Sequence, residues 1–202
     1  MTIKLNWFGL AGGALTIAAV AVSLFIPWWQ LTAGENLIQA NISPFNMDFS
    51  LFGTAFTIPL IWALNLTSIL TFAVAGIVML IYSVVPTKPY AKHLVGFAYY
   101  KPLASLLFFA VLIFGLTTVM QAVAQLNIPL SGSATIAIPA GTIQGLTVSV
   151  SVSTGFVWPF WLALVASVLC VVARVYHRKV ANPLPPLPSS SPSPQSPPPP
   201  PP

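Results

Sequence analysis

Four long runs of apolar residues limit what this chain can fold into. They cover about 7–29, 58–84, 102–125 and 155–176, and no charged or histidine side chain lies near the middle of any run. A bilayer core of about 30 Å requires about 20 apolar residues in a helix. Only 4 % of the residues are charged, too few to coat a water-soluble protein of this size. The sequence therefore predicts an all-α membrane protein, a bundle of four transmembrane helices.

The basic residues orient these four spans. With four crossings, the N-terminus, the loop 86–101 and the segment that closes span four lie on one side of the membrane. These segments contain every basic residue: Lys4, Lys88, Lys92, Lys101, Arg174, Arg178 and Lys179. Because Lys and Arg are retained on the cytoplasmic side, we expect both termini in the cytoplasm and the chain in the cytoplasmic membrane. At 23 residues, the first run exceeds a signal-peptide core of about 7–15 residues, which predicts an uncleaved anchor rather than a cleaved signal peptide.

Tryptophans mark the other side of the membrane. Four of them fall near the outer ends of spans one and four: Trp28, Trp29, Trp158 and Trp161. Indole rings favour the headgroup level of a bilayer. We therefore predict that these four residues anchor the spans at the membrane interface.

The outer loops, 30–55 and 126–154, carry the predicted extracytoplasmic structure. In the second loop, 133–138 and 147–153 alternate small polar with mostly β-branched residues, and Pro139-Ala140-Gly141 between them is typical of a turn. This pattern predicts a small β-hairpin, to which the first loop could add a strand. An isolated hairpin is marginally stable in water, so it must pack on the first loop or on another subunit. In the first loop, Asn41-Ile42-Ser43 is an N-glycosylation sequon, which makes Asn41 a candidate modification site.

The chain divides at residue 181 into a membrane domain, 1–181, and a tail, 182–202. The tail consists largely of Pro and Ser and ends in six consecutive prolines, a composition that predicts a disordered cytoplasmic segment with polyproline II character. Two P-x-x-P motifs, 183–186 and 185–188, are typical of ligands for aromatic grooves of partner domains. A plain disordered spacer is the other interpretation.

Uncharged polar and small residues are the remaining features of the spans. The polar candidates are Asn65 and Thr67 in span two and Gln121 and Gln125 in span three. They predict either hydrogen bonds between helices or the lining of a pore. Gly9 and Gly13 form a G-x-x-x-G pattern, which predicts a close helix-packing face within the chain or between chains.

The chemistry of most enzymes has no obvious place in this sequence. Both acids, Glu35 and Asp48, fall in the first outer loop, whereas His93 and His177 are predicted on the inner side. They cannot meet to form a catalytic set, and no histidine lies at the depth of a membrane haem. We therefore predict a non-enzymatic protein without cofactor or metal and without a nucleic-acid partner.

The predicted architecture resembles that of claudin-like tetraspans, which are adhesive or barrier-forming. The resemblance lies in four spans, cytoplasmic ends and a strand-bearing outer surface. Such proteins carry a Trp and a Cys pair in the first outer loop, whereas this loop has no Cys and Trp28 and Trp29 lie at its membrane edge. No functional residue carries over.

Two functions follow as hypotheses. The first is a structural or accessory subunit of a larger membrane or cell-envelope complex, whose partners are the lipid bilayer and other subunits or further copies of the chain. The alternative is a small oligomeric channel or facilitator lined by the polar residues of spans two and three. A membrane enzyme or redox subunit is the least favoured reading.

Overall fold

The computed structural model of the chain describes residues 5–34, 37–51, 53–56, 59–124, 127–138 and 148–181. Within these residues the elements in chain order are α1 (Trp7–Ser23), β1 (Trp29–Ala33), β2 (Ile38–Ile42), β3 (Met47–Leu51), β4 (Thr54–Phe56), α2 (Pro59–Val84), α3 (Ala91–Ala124), β5 (Gly132–Ile138), β6 (Val148–Phe156) and α4 (Trp158–Ala181). Strands β1–β4 connect α1 to α2, and β5 and β6 connect α3 to α4. All six strands therefore lie at the same end of the helices, and we call this the sheet end.

The helices form a ring in which α1 and α3 each pack against both α2 and α4. Glycines allow the close approach of α1 to its neighbours. A Cβ atom at Gly12 would lie 3.0 Å from Sγ of Cys170 in α4, and one at Gly13 would lie 3.0 Å from the carbonyl oxygen of Gly76 in α2. Small residues at such contacts bring helix backbones close enough for strong van der Waals packing.

Three of the helices are long and apolar enough to cross a membrane. They are Trp62–Val84, Ala91–Ala122 and Trp158–His177, with mean hydropathies of 2.2, 2.4 and 1.9, whereas α1 is a shorter apolar helix of 17 residues. Between 22 % and 33 % of the most apolar part of each long helix is buried inside the protein. Most of their apolar surface therefore faces outward, which indicates a membrane protein.

Two helices differ in extent from the predicted spans. The predicted first span continues to Trp29, but α1 ends at Ser23 because Pro27 cannot donate a helical hydrogen bond and Trp29 already pairs with Ile42 and Phe156 in the sheet. At the opposite end, α3 begins at Ala91, so most of the predicted loop 86–101 is helical.

The prediction of an all-α protein with a small hairpin is wrong, because the strands form a six-stranded antiparallel sheet in the order β4-β3-β2-β1-β6-β5. The two strands of the predicted hairpin are β5 and β6, paired through Ser133 and Ser153. Thr32 of β1 pairs with Ser153 in turn, so the hairpin packs on the first outer loop, which supplies four strands. The predicted turn Pro139-Ala140-Gly141 and the tail 182–202 lie outside the described residues.

A cluster of aromatic side chains joins the sheet to the helices. Trp28 is fully buried, and its ring meets Phe45, Phe109 of α3 and Phe160 of α4 edge-on, with ring centroids 5.1–6.1 Å apart. Its indole N–H donates to the hydroxyl of Ser23 at 2.7 Å, where α1 ends. This cluster fixes the sheet on the end of the bundle.

Candidate functional site: the sheet and the cavity beneath it

The two faces of the sheet differ sharply in chemistry. On the face away from the helices, paired residues form rows of uncharged polar side chains, such as Thr32, Gln39 and Ser50, or Thr135 and Ser151. Asp48 is the one charged residue of this face among the described strands, and it accepts a hydrogen bond from Asn46 at 2.7 Å. The outer face is therefore polar and nearly uncharged.

The edge strands of the sheet are β4 and β5. Strand β4 has only three residues, which limits what can pair with it. Strand β5 has seven residues, Gly132–Ile138, without a charged residue or a proline. Natural sheets usually protect long edges with charges, prolines or bulges. Within the described residues, β5 thus presents an edge that lacks the charges and prolines of a protected one.

The face toward the helices is apolar and roofs a cavity. Alternate residues of five strands point to it: Trp29, Leu31, Ala33, Ile38, Ala40, Phe49, Ile136, Val150 and Val152. The opposite wall consists of Leu116, Thr117 and Met120 near the end of α3, together with Ile128. The cavity has a volume of about 350 Å³.

The polar groups on the cavity wall are engaged elsewhere. The indole N–H of Trp29 donates to the carbonyl oxygen of Leu130 at 2.9 Å, and the hydroxyl of Thr117 donates to the carbonyl oxygen of Phe114 at 2.9 Å. Nearby, Thr154 donates to the carbonyl oxygen of Pro129 at 2.6 Å. The wall therefore offers hydrocarbon to an occupant and no free hydrogen-bonding side chain.

A second polar feature lies at the other end of the bundle. The side chain of Asn6 caps α1 by accepting from the N–H of Gly9 at 3.1 Å, and its amide donates to the hydroxyl of Tyr82 at 2.9 Å and to the carbonyl oxygen of Ala173 at 3.3 Å. His177 packs edge-on against Tyr82, with ring centroids 5.4 Å apart. Because these contacts join α1, α2 and α4, we interpret the cluster as structural.

The small residues predicted for helix packing lie in the interior. Gly9 and Gly13 face α2 of the same chain: a Cβ at Gly9 would lie 2.5 Å from Oγ of Ser83, and Gly13 adjoins Gly76. Cys170 is buried beside Thr16 of α1. The described contacts of this glycine face are thus made within one chain.

The polar candidates that the structure describes, Asn65, Thr67 and Gln121, lie in different surroundings. Asn65 borders a pocket of about 240 Å³ with Leu24, Phe45 and Trp62, and this pocket does not include Gln121. Gln121 is exposed on α3, and exposed Thr67 donates to the carbonyl oxygen of Ala63. Gln125 lies outside the described residues.

The sequon and the four tryptophans all lie at the sheet end. Asn41 lies on the outer face of β2, paired with Gln30 and Asp48. Trp158 and Trp161 are each about half exposed at the start of α4, as interface anchors would be, whereas Trp28 and Trp29 are fully buried. The latter pair therefore contacts protein rather than headgroups.

The cavity is the feature that the sequence analysis missed. Its wall combines residues more than a hundred positions apart, which are brought together by the pairing of β1 with β6. One local signal was available: 29–33 alternates large or apolar with polar side chains, a period of two typical of a strand with one buried face.

Metal ligands do not cluster in the part of the chain that the structure describes, since no three His, Cys, Asp or Glu side chains there come close enough to share a metal ion. Compared with known proteins, the sequence matches no family model and no curated protein sequence.

Proposed function

We propose that the protein is a non-enzymatic membrane protein with four spans and both termini in the cytoplasm, which serves as a structural or accessory subunit of a larger membrane or envelope assembly. The observation that carries this proposal is the long edge strand β5, whose seven residues contain no charge and no proline. An edge of this kind can pair with a strand of another chain through backbone hydrogen bonds.

The placement of the sheet supports an assembly role. The Trp28 cluster fixes the sheet to one end of an apolar bundle, and with four spans we expect the sheet to lie at one side of the membrane. Its outer face is nearly uncharged, so two such faces or edges meet without strong repulsion. Described acidic and imidazole groups lie far apart along the bundle, with Asp48 on the sheet and His93 and His177 near its other end, which favours assembly over catalysis.

A lysine on the edge strand tests the proposal. Thr135→Lys adds a charge to β5, and Ser151→Lys adds the same charge to its cross-strand neighbour, one strand inward and on the same face. The full chain is purified in mild detergent and its native mass is measured. We expect wild type and Ser151→Lys to retain a partner or a second copy, and Thr135→Lys to lose it, because edge charges oppose strand addition.

The same measurement can refute the proposal in two ways. A wild-type chain that is a lone monomer in both mild detergent and native membrane extracts contradicts the assembly role. Equal loss of the partner in both variants contradicts strand pairing at the β5 edge and indicates that the partner docks on the outer face of the sheet instead.

A further inference from the structure

We propose that the cavity between the sheet and α3 binds the hydrocarbon chain of a membrane lipid. This inference goes beyond the assembly role and does not depend on it, because it rests on the inner face of the sheet, whereas assembly was assigned to the edge.

The wall chemistry selects a hydrocarbon occupant. Among the lining residues only Trp29 and Thr117 carry polar side-chain atoms, and both donate to backbone carbonyls outside the cavity. An apolar cavity of about 150 Å³ already stays dry and accepts an apolar guest. At about 350 Å³ this cavity is larger and lies within the range of small-molecule sites, roughly 300–1,000 Å³.

The lipid-facing surface of α3 leads into the cavity. Phe108, Val111 and Phe114 are 69 %, 68 % and 61 % exposed along this helix, on a segment apolar enough to cross a membrane. Leu116, on the same helix, is both 38 % exposed and part of the cavity wall. Leu116 lies about 80° around the helix from Phe108, and Val119, which is 56 % exposed, follows Leu116 by one turn. Exposed apolar side chains therefore flank the cavity wall on this side of α3, so a lipid chain can reach the cavity without crossing water.

The occupant is recognised by its chain and not by its headgroup. The outer loops, 30–55 and 126–154, contain no Lys or Arg, so a lipid phosphate has no cationic side chain there to pair with. We therefore expect binding to depend on the acyl chain and to be similar for zwitterionic and anionic headgroups.

A photoreactive lipid tests the proposal on the full chain. The protein is reconstituted in phosphatidylcholine vesicles that contain a phosphatidylcholine with a diazirine near the middle of one acyl chain, irradiated, digested and mapped by mass spectrometry. We expect labelling of cavity residues such as Met120 and Val152, in addition to labelling of lipid-exposed residues such as Phe108 and Val111, which report lipid around the bundle.

Two independent variants fill the cavity, each with a neighbour as its control. Ala40→Phe adds a ring from the sheet, and Gln39→Phe adds the same ring on the opposite face of β2. Met120→Trp fills the cavity from α3, and Val119→Trp adds the same bulk at an exposed position. We expect both filling variants to reduce labelling of cavity residues to background and both controls to retain it, with labelling of Phe108 and Val111 unchanged.

Several results would overturn the proposal. Labelling confined to lipid-exposed residues in the wild type would mean that only surrounding lipid is detected. Equal labelling of cavity residues in all four variants would mean that filling the cavity has no effect, and that the label reaches these residues without entering it. A cross-link from the cavity wall to another polypeptide, without lipid adducts, would identify a protein segment as the occupant. Thermal unfolding of each variant identifies those that fail to fold, and the second filling variant then decides the test.

Discussion

At the residue scale, Asn6 performs two tasks with one side chain. Its Oδ1 caps α1, and its amide links α1 to Tyr82 of α2 and to Ala173 of α4. We expect Asn6→Ala to lower the free energy of unfolding by about 2 kcal/mol, since loss of a cap costs about 1 kcal/mol and each interhelical hydrogen bond contributes about 0.6 kcal/mol. Asn6→Ser retains a capping oxygen and adds no charge to this buried position, but it lacks the amide that donates to Tyr82 and Ala173. Unfolding in a mixed-micelle titration should therefore place it between wild type and Asn6→Ala; equal stability of all three contradicts the dual role.

Gly13 permits a close approach of the α1 backbone to the α2 backbone. A side chain there must meet the carbonyl oxygen of Gly76 at about 3 Å, and backbone cannot move aside as a flexible side chain can. We expect Gly13→Val to cost about 1–3 kcal/mol, the usual cost of overpacking. Ala14→Val, at the adjacent exposed position, should cost much less. Thermal unfolding of both variants provides the comparison, and similar midpoints would mean that the helices separate easily.

At the scale of elements, Trp28 couples the sheet to the bundle. Its ring contacts aromatic residues before β3, in α3 and in α4, and its indole N–H binds Ser23. We expect Trp28→Ala to destabilise the chain by about 3–5 kcal/mol and to raise amide hydrogen exchange in β1, β2 and β6 more than in the helices. Trp158→Ala, at a half-exposed ring, should leave exchange in the sheet close to wild type. Uniformly faster exchange in sheet and helices would show that the two unfold together.

Local periodicity determined which elements could be predicted. The alternation in 133–138 and 147–153 predicted strands that the structure has as Gly132–Ile138 and Val148–Phe156. The four strands of the first outer loop are shorter, and β4 has only three residues. Such short segments contain too few residues to show a clear alternation of apolar and polar side chains. The end of α1 was missed because its apolar run continues to Trp29. Pro27 was a local signal for the end of a helix, and the pairing of Trp29 with Ile42 and Phe156 takes the chain into the sheet.

The cavity and the six-stranded sheet both depend on a pairing of distant strands that no local sequence pattern predicts. Pairing of β1 with β6 joins the two outer loops, with Thr32 opposite Ser153, and closes the roof of the cavity. Such a register is set by the hydrophobic face of the whole sheet, because a slip of one residue would turn the apolar side chains outward. The uncharged spans could therefore be predicted from the sequence, whereas the residues of the cavity wall could be identified only from the tertiary fold.

At the scale of the whole molecule, the length and charge distribution of α3 predict how the bundle lies in the bilayer. Its 34 residues extend about 51 Å, about 20 Å more than the hydrocarbon core. Lys92 and Lys101 lie in its first eleven residues, at the end away from the sheet, and the rest of the helix, 102–124, contains no charged residue. We therefore expect the helix to project beyond the hydrocarbon core on the side of its lysines, with its last turns close to the level of the sheet.

This geometry predicts which end a membrane-impermeant thiol reagent reaches. The lone Cys170 is fully buried, so we expect the wild-type chain to remain unlabelled and to serve as the control for background labelling. Ser149→Cys places a thiol on the exposed face of β6, and Lys88→Cys places one between α2 and α3. Because Lys and Arg are retained in the cytoplasm, intact cells should show labelled Ser149→Cys and unlabelled Lys88→Cys, and permeabilised cells should show both labelled. Labelling of Lys88→Cys in intact cells would mean that the bundle has the opposite orientation, with the sheet in the cytoplasm. It would therefore contradict an extracytoplasmic assembly surface.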